Sequence, residues 1–393
     1  MEAKVGEDEN VQKRSDPATE KAAAQVFQGG RVKTPRECDG DQRSAARGTE
    51  EEEEEEEEEA IRSYAIHRKS WLSIFLKNGA IPFEAETQYP PMRYTDVPML
   101  PTTAGPGDTM EVFFVKVTQI TRDLQWPLDV HGIFAVRDSF DSRRNYLFRR
   151  GRDNCQTLTS PHTLFHILSV LISHYISTVR TFSPRPVLRY CVQDSLLELT
   201  GPSRAILLWD EPVFEIDLKV KDKESSSSEG DKILCLDFFG YKNISYTGSK
   251  SYTITKVRSS KRSTVEVRFA HVRRSVEATI TARIINGSGN FSARLTACNT
   301  SIGEDVVLLD TRGQEVPVIK DGEVTLQRRV VVVEDRAELI LGIKAEQLGD
   351  TADSSTKVEK KFGFLVKSAL RNEGYFNIGS SRLHMVIAWS LLP

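Results

Sequence analysis

From Met110 to the C-terminus, short runs of branched and aromatic residues alternate with Gly, Asp and Ser turns, and this leaves little choice of fold. Val112–Ile120 (VFFVKVTQI), Asp129–Arg137 (DVHGIFAVR) and Asn145–Arg149 (NYLFR) come first. Ala205–Trp209, Val213–Val220, Ile233–Phe239, Thr264–Phe269 and Val276–Ile285 follow. Phe291–Leu295, Val306–Leu309, Val324–Val333, Glu338–Lys344, Phe362–Val366 and His384–Leu391 close the chain. About fourteen such runs, with hardly a helical period among them, predict antiparallel sheets packed as sandwiches or barrels.

Upstream the texture changes twice. Residues 1–59 hold 19 Asp and Glu against 9 Lys and Arg and end in ten consecutive Glu, Glu50–Glu59. Like charges at that density repel and there is almost nothing to bury, so this low-complexity, poly-Glu leader is expected to be disordered. It reads either as an acidic tail for a basic partner or as a solvating leader. The remainder of the chain carries an excess of base, which a formal net charge of −3 conceals. Ile61, Ala65, Ile66, Trp71, Leu72, Ile74 and Phe75 then recur at helical spacing before Asn78-Gly79, predicting one amphipathic docking helix over residues 60–80. Residues 81–107 are Pro-rich without periodicity and read as an extended linker.

Several function classes are excluded or weakened. No apolar run reaches the length of a membrane span, and the polar start MEAKVGEDEN is no secretory signal, so an intracellular place, cytoplasmic or nuclear, is expected. Cys38, Cys155, Cys191, Cys235 and Cys298 are odd in number and widely spaced, which suits reduced thiols and offers no CxxC metal or redox pair. His162 and His166 share a helical spacing but find no third ligand. A calcium cage at Asp138 and Asp141 lacks the six to eight oxygens it would need. No phosphate loop, dinucleotide turn or nucleophile elbow occurs. No catalytic residue, cofactor or metal is implied.

Two stretches resemble each other. Gly132–Arg137 (GIFAVR) lines up with Gly289–Arg294 (GNFSAR), and Arg204–Val220 lines up with Arg329–Ala345 at an offset of 125, matching Asp210 with Asp335 and Lys219 with Lys344. This is an internal repeat of a strand, an Asp-containing turn and a strand. The first unit holds a surplus that coincides with Thr159–Asp194, whose apolar Leu164–Ile176 looks like nothing else in the chain. Two accounts of this insert stand: a helical lid, or retained intron sequence.

These motifs are specific enough to carry a resemblance. WPLDVHGIFAVRD (Trp126–Asp138), NYLFRRGRDNCQTL (Asn145–Leu158), LELTGPSRAILLWDEPVFEIDLKVK (Leu197–Lys221), VVLLDTRGQEVPV (Val306–Val318) and the terminal MVIAWSLLP resemble plant, chiefly grass, proteins with the domain of unknown function DUF6598. The resemblance covers most of residues 60–393 and is departed from at Thr159–Asp194. It implies an uncharacterised domain, sometimes associated with ribosome-inactivating rRNA N-glycosylases and so with defence. The Glu-Ala-x-x-Arg helix of those enzymes is missing; Glu277-Ala278 is followed by Thr279-Ile280 in a strand pattern.

The expected architecture is therefore mainly β: two tandem antiparallel β-sandwich-like units, 108–270 (with the insert 159–194) and 271–393, behind the disordered leader and one helix. The leading function is a non-catalytic interaction protein with a macromolecular, chiefly protein, partner. The alternatives are rRNA N-glycosylase association, and nucleic-acid or acidic-lipid binding through a basic strand carrying Arg143, Arg144, Arg149, Arg150 and Arg152 beside Tyr146 and Phe148.

Overall fold

A computed structural model describes residues 41–75, 81–121, 123–160, 195–242, 248, 250–348 and 357–393. The chain divides into two units, Met1–Gly48 and Thr49–Pro393, and every sheet belongs to the second. Of the insert Thr159–Asp194, residues 161–194, with His162 and His166 among them, lie outside the described residues.

Helix α1 runs Asp41–Phe75, so it starts upstream of the expected Ala60 and takes the Glu run into its backbone. Glu is a good helix former, and the run meets opposite charge in the folded chain: Glu57 pairs with Arg262 and Lys261.

The first sandwich joins two sheets. One holds β1 (Gly107–Ile120), β5 (Ile206–Leu207), β8 (Tyr252–Ser259) and the first half of β9 (Ser263–Asn286). The other has the order β3-β2-β6-β7, from β2 (Leu128–Arg137), β3 (Asn145–Arg150), β6 (Val213–Val220) and β7 (Lys232–Gly240), with β4 (Gln156–Leu158) also on β2. Alternation drives the packing. Val115, Val117, Val265, Val267 and Phe269 from the first sheet meet Phe134, Phe148, Phe214, Ile216 and Leu218 from the second, all fully buried. Each contributes roughly 1.5–3 kcal/mol of burial. Gly132 is required where β6 crosses: its φ is +121° and a Cβ there would stand 2.0 Å from the Asp217 carbonyl oxygen.

The second sandwich repeats the plan. The far half of β9, β12 (Glu323–Val324), β13 (Val330–Glu334), β16 (Arg371–Ile378) and β17 (Ser381–Ser390) form one layer. The other has the order β11-β10-β14-β15, from β10 (Phe291–Asn299), β11 (Asp305–Asp310), β14 (Glu338–Gln347) and β15 (Lys357–Leu365). In both four-strand paths the succession in space is second, first, third, fourth. The residue alignment within that plan differs from the sequence reading. Lys219 lies opposite His131, and Lys344 opposite Arg294, so Arg294 corresponds to His131 and not to Arg137. Strand texture shows that a hairpin recurs, whereas register depends on cross-strand hydrogen bonds that a text match does not see.

The expected boundary at residues 270 and 271 falls inside one strand. β9 is 24 residues long and passes from the first sandwich to the second through an irregularity at Arg273–Arg274, where Arg274 has φ 40°. A β-bulge there turns the strand. The two sandwiches are further joined by a buried pair: Arg328 Nη2 donates to Glu111 Oε1 at 2.9 Å, and the Val332 amide to Glu111 Oε2 at 2.9 Å. Residues 81–107 are a strap and not a free linker. Phe83 and Tyr94 are buried, the Thr87 amide donates to the Arg144 carbonyl oxygen and the Arg144 amide to that of Ala85, and Gly105 pairs with Leu392. Among the described residues no helix is long and apolar enough to cross a membrane.

Candidate functional site

The arginines of the β3 region are placed as follows. Arg144 is buried and its Nε donates to Glu215 Oε2 at 2.6 Å. Arg143 bonds Asp141, Arg149 bonds Glu86 at 3.2 Å, and Arg150 bonds Glu198 at 2.7 Å. Arg152 reaches Asp231 at 2.9 Å and three backbone carbonyls, of Ser226, Asp222 and Ser225. Each guanidinium thus has a carboxylate partner within the chain. Arg149 keeps the aromatic company the sequence suggested, its guanidinium 4.6 Å from the Tyr146 ring centroid, while Arg144 lies over Phe83 at 4.7 Å.

Sequence reasoning did not find the carboxylate at the centre. Glu215 sits on the outer side of β6, between Phe214 and Ile216 that face the core, and is fully buried because α1 covers it. It accepts from Arg137 Nε at 2.7 Å, from Arg144, and pairs with His67 Nε2 at 2.9 Å. Burial opposes its charge, but His67 and Arg137 hydrogen bonds and the two guanidinium charges hold its carboxyl down at about 2. Around it His67 stacks on Phe238, and Arg137 lies over the rings of Trp71 and Phe83 at 4.7 and 4.5 Å. This cluster seats the helix.

Beside it three segments converge on an exposed aromatic face. The strap supplies Tyr89 and Arg93, the β2–β3 loop Phe140, and the β5–β6 turn Trp209. Phe140 packs against Tyr89 with centroids 4.4 Å apart and meets Trp209 edge-on at 5.7 Å. The Arg93 guanidinium lies 5.1 and 5.2 Å from the Tyr89 and Phe140 rings. Trp209 is 55% exposed and Tyr89 37%. The scaffold below is polar and saturated. Arg204 grips Asp138 in a bidentate pair at 2.7 and 2.9 Å, Leu207 N also donates to Asp138, and Asp138 Oδ1 accepts the Asp141 amide. Buried Glu277 accepts the amides of Met92 and Ala205 at 2.7 Å each. Asp138 and Asp141, considered above as calcium ligands, are thus occupied by protein donors, and no metal-holding group of three occurs among the described residues. Desolvation raises the Glu277 carboxyl above its ordinary value.

A third polar cluster lies within the first sandwich, at His271 of β9 between β1 and β8. His271 pairs through Nε2 with Asp108 at 3.0 Å and through Nδ1 with the Tyr241 hydroxyl at 3.1 Å, and Tyr241 and Tyr252 hydroxyls are bonded to each other. His271 is buried, stacked on Tyr252, and its two nitrogens are both engaged within the core.

Two bulged antiparallel sandwiches sharing a strand, with buried ion pairs as staples and an aromatic exposed face, define a β-sandwich protein. The chain belongs to the DUF6598 family, a domain of unknown function, whose model matches residues 109–387. No curated protein matches it. Among solved structures it is similar to human GIVD cytosolic phospholipase A2, at 9% identity and a TM-score of 0.22 over 74% of this chain and 33% of that one. The same enzyme in complex with methyl gamma-linolenyl fluorophosphonate gives 10% identity, a TM-score of 0.22, and 73% and 32% coverage. The chain spans about a third of the length of these structures.

Proposed function

We propose that this chain is a non-catalytic interaction protein that docks a protein partner on the face formed by Tyr89, Arg93, Phe140 and Trp209. The observation that carries this reading is Trp209, more than half exposed yet held edge-on by Phe140 over a rigid, fully bonded scaffold. Trp, Tyr and Arg are the residue types that dominate binding hot spots, because they bury large areas at small cost in rotamer entropy. The two sandwiches, with their common strand succession, are on this reading copies of one duplicated unit. The plant setting and the link to defence that the resemblance implies belong to the same proposal.

The test is affinity capture from grass seedling extract with the chain lacking residues 159–194, at low and high salt. A protein recovered at both salts and lost with Trp209→Ala is the expected outcome. Recovery that Trp209→Ala leaves unchanged overturns the reading. One observation favours a second reading, the Arg149–Tyr146 stack, which offers a base-stacking step for nucleic acid. Salt-labile recovery of RNA that Arg149→Ala abolishes would favour it.

A further inference from the structure

The Glu run finds a counterpart in the fold that none of the sites above uses. The end of β8 and the turn into β9 read Arg258-Ser259-Ser260-Lys261-Arg262. Arg262 Nη1 reaches Glu57 Oε2 at 2.7 Å and Lys261 Nζ reaches the same oxygen at 3.4 Å. We infer that this turn is a binding site for an acidic segment of a partner protein, and that the chain's own Glu run occupies it as an internal stand-in.

Three observations support the assignment. Charge is the first. A cavity of about 390 Å³ separates helix from turn, and its lining includes Glu56, Glu57 and Glu59 on one side and Arg258, Lys261 and Arg262 on the other. With the helix lifted, Arg258 keeps Asp237 and Arg262 keeps Asp123 at 2.8 Å, while Lys261 loses Glu57, so the turn is left with an excess of positive charge. Packing is the second. The contact is made by ion pairs beside a cavity and not by close-packed apolar side chains, and since Glu57, Lys261 and Arg262 each keep part of their surface in water, salt screens it. The third is the contrast along α1. Downstream, Trp71 is buried and His67 and Tyr64 reach the Glu215 cluster, so this part of the helix is anchored. Upstream, adjacent Glu side chains repel one another at i,i+4 spacing, so the Glu run is the part that can leave. Burial works against the Glu57 charge, yet the Arg262 and Lys261 hydrogen bonds and charges hold its carboxyl below the ordinary range. The site therefore favours ionised carboxylates, which is the chemistry an acidic peptide brings.

A tethered competitor at about millimolar effective concentration masks such a site until a partner outcompetes it. The experiment uses the full chain and a dye-labelled peptide of ten glutamates, read by fluorescence anisotropy. Replacing Glu56, Glu57 and Glu59 together by Gln removes the competitor, and the peptide should then bind about tenfold tighter or better than to the unchanged protein. Lys261→Gln added to that variant should abolish the gain, as should raising the salt from about 50 mM to about 500 mM. Equal peptide affinity with and without the three Gln substitutions overturns the proposal, as does a gain that survives Lys261→Gln. A separate reading needs no peptide: Lys261→Gln alone should speed amide exchange over residues 50–60 and leave residues 64–75 unchanged. Unchanged exchange over residues 50–60 also overturns it. A concentration-dependent dimer that Lys261→Gln dissolves would seat a second copy's Glu run in the turn, and that too overturns the partner assignment.

Discussion

Arg137 and Glu215 stand diagonally across neighbouring strands, Arg137 opposite Val213 and Glu215 opposite Ala135, and the guanidinium Nε donates to the carboxylate at 2.7 Å. Arg144, just before β3, adds a second cation on the same carboxylate. A buried carboxylate shared by two guanidinium groups and a histidine cannot lose its charge without leaving cations desolvated. Glu215→Ala should therefore destabilise the chain by about 3–5 kcal/mol, the usual cost of breaking a buried pair. Urea unfolding followed by far-ultraviolet dichroism measures it; a loss below about 1 kcal/mol, the size of an exposed pair, would show that the cluster is not what seats the helix.

Acid should act through the same carboxylate. Its pKa is depressed in the folded chain to about 2, from an ordinary 4.5. A depressed carboxyl contributes stability that is fully present above the ordinary value and is lost as pH falls through the folded one. Between these values about 3 kcal/mol should disappear from wild-type stability. Glu215→Gln should flatten that part of the pH profile, which chemical unfolding at a series of pH values would show.

Arg328 lies between the sandwiches with Glu111 as its ionic partner and the Val112 carbonyl oxygen as its other acceptor. Glu111→Leu leaves a desolvated guanidinium and an unbonded Val332 amide, so a loss of about 3–5 kcal/mol is expected. Glu111→Leu combined with Arg328→Met removes both charges and should recover most of that loss. A double variant no better than the single one would mean that packing, not charge, decides this seam.

Deleting Thr159–Asp194 should leave the sheets intact. The flanks of the segment are already tied together without it: Gln156 Nε2 donates to the Leu196 carbonyl oxygen at 2.8 Å, and the Glu198 amide to Gln156 Oε1 at 2.8 Å. Joining Leu158 to Ser195 shortens a loop, and loop length by itself changes stability by only about 0.6 kcal/mol per doubling. Unchanged β-sheet dichroism and higher solubility are expected; a fall of many degrees in the melting midpoint would make the segment part of the core.

The chain should not depurinate ribosomes. Glu277, the one Glu-Ala pair considered for that chemistry, is a buried strand residue whose two oxygens accept the Met92 and Ala205 amides. Aniline treatment of rRNA after incubation with the protein should release no specific fragment, and a fragment at catalytic doses would refute this.

Local pattern determined a good deal. The alternation of Phe214, Ile216 and Leu218, or of Val265, Val267 and Phe269, is a property of neighbouring residues, and it marks the strands and the sandwich class in the sequence itself. The helical spacing of Ile61, Ala65, Trp71 and Phe75 likewise marks a helix, although of the apolar residues on it Trp71 is buried while Ile61, Ile66 and Ile74 stay exposed. What no local pattern carries is which outward-facing residue becomes covered. Glu215 sits at a position that alternation assigns to the outer side, and it is buried because a helix 148 residues away brings His67 onto it. The five arginines read as a basic platform because their neighbours in sequence are basic; their carboxylates, Glu215, Glu86, Glu198, Asp231 and Asp141, come mostly from distant segments. The Glu run read as unstructured because its countercharges lie beyond residue 258. Trp209, Phe140 and Tyr89 carry no shared motif, and only the convergence of a strap and two loops makes them a face. Hydrophobic patterning acts over a few residues and survives in the sequence. Charge pairing and aromatic contact act over a few ångströms, and only the tertiary fold decides which residues come that close.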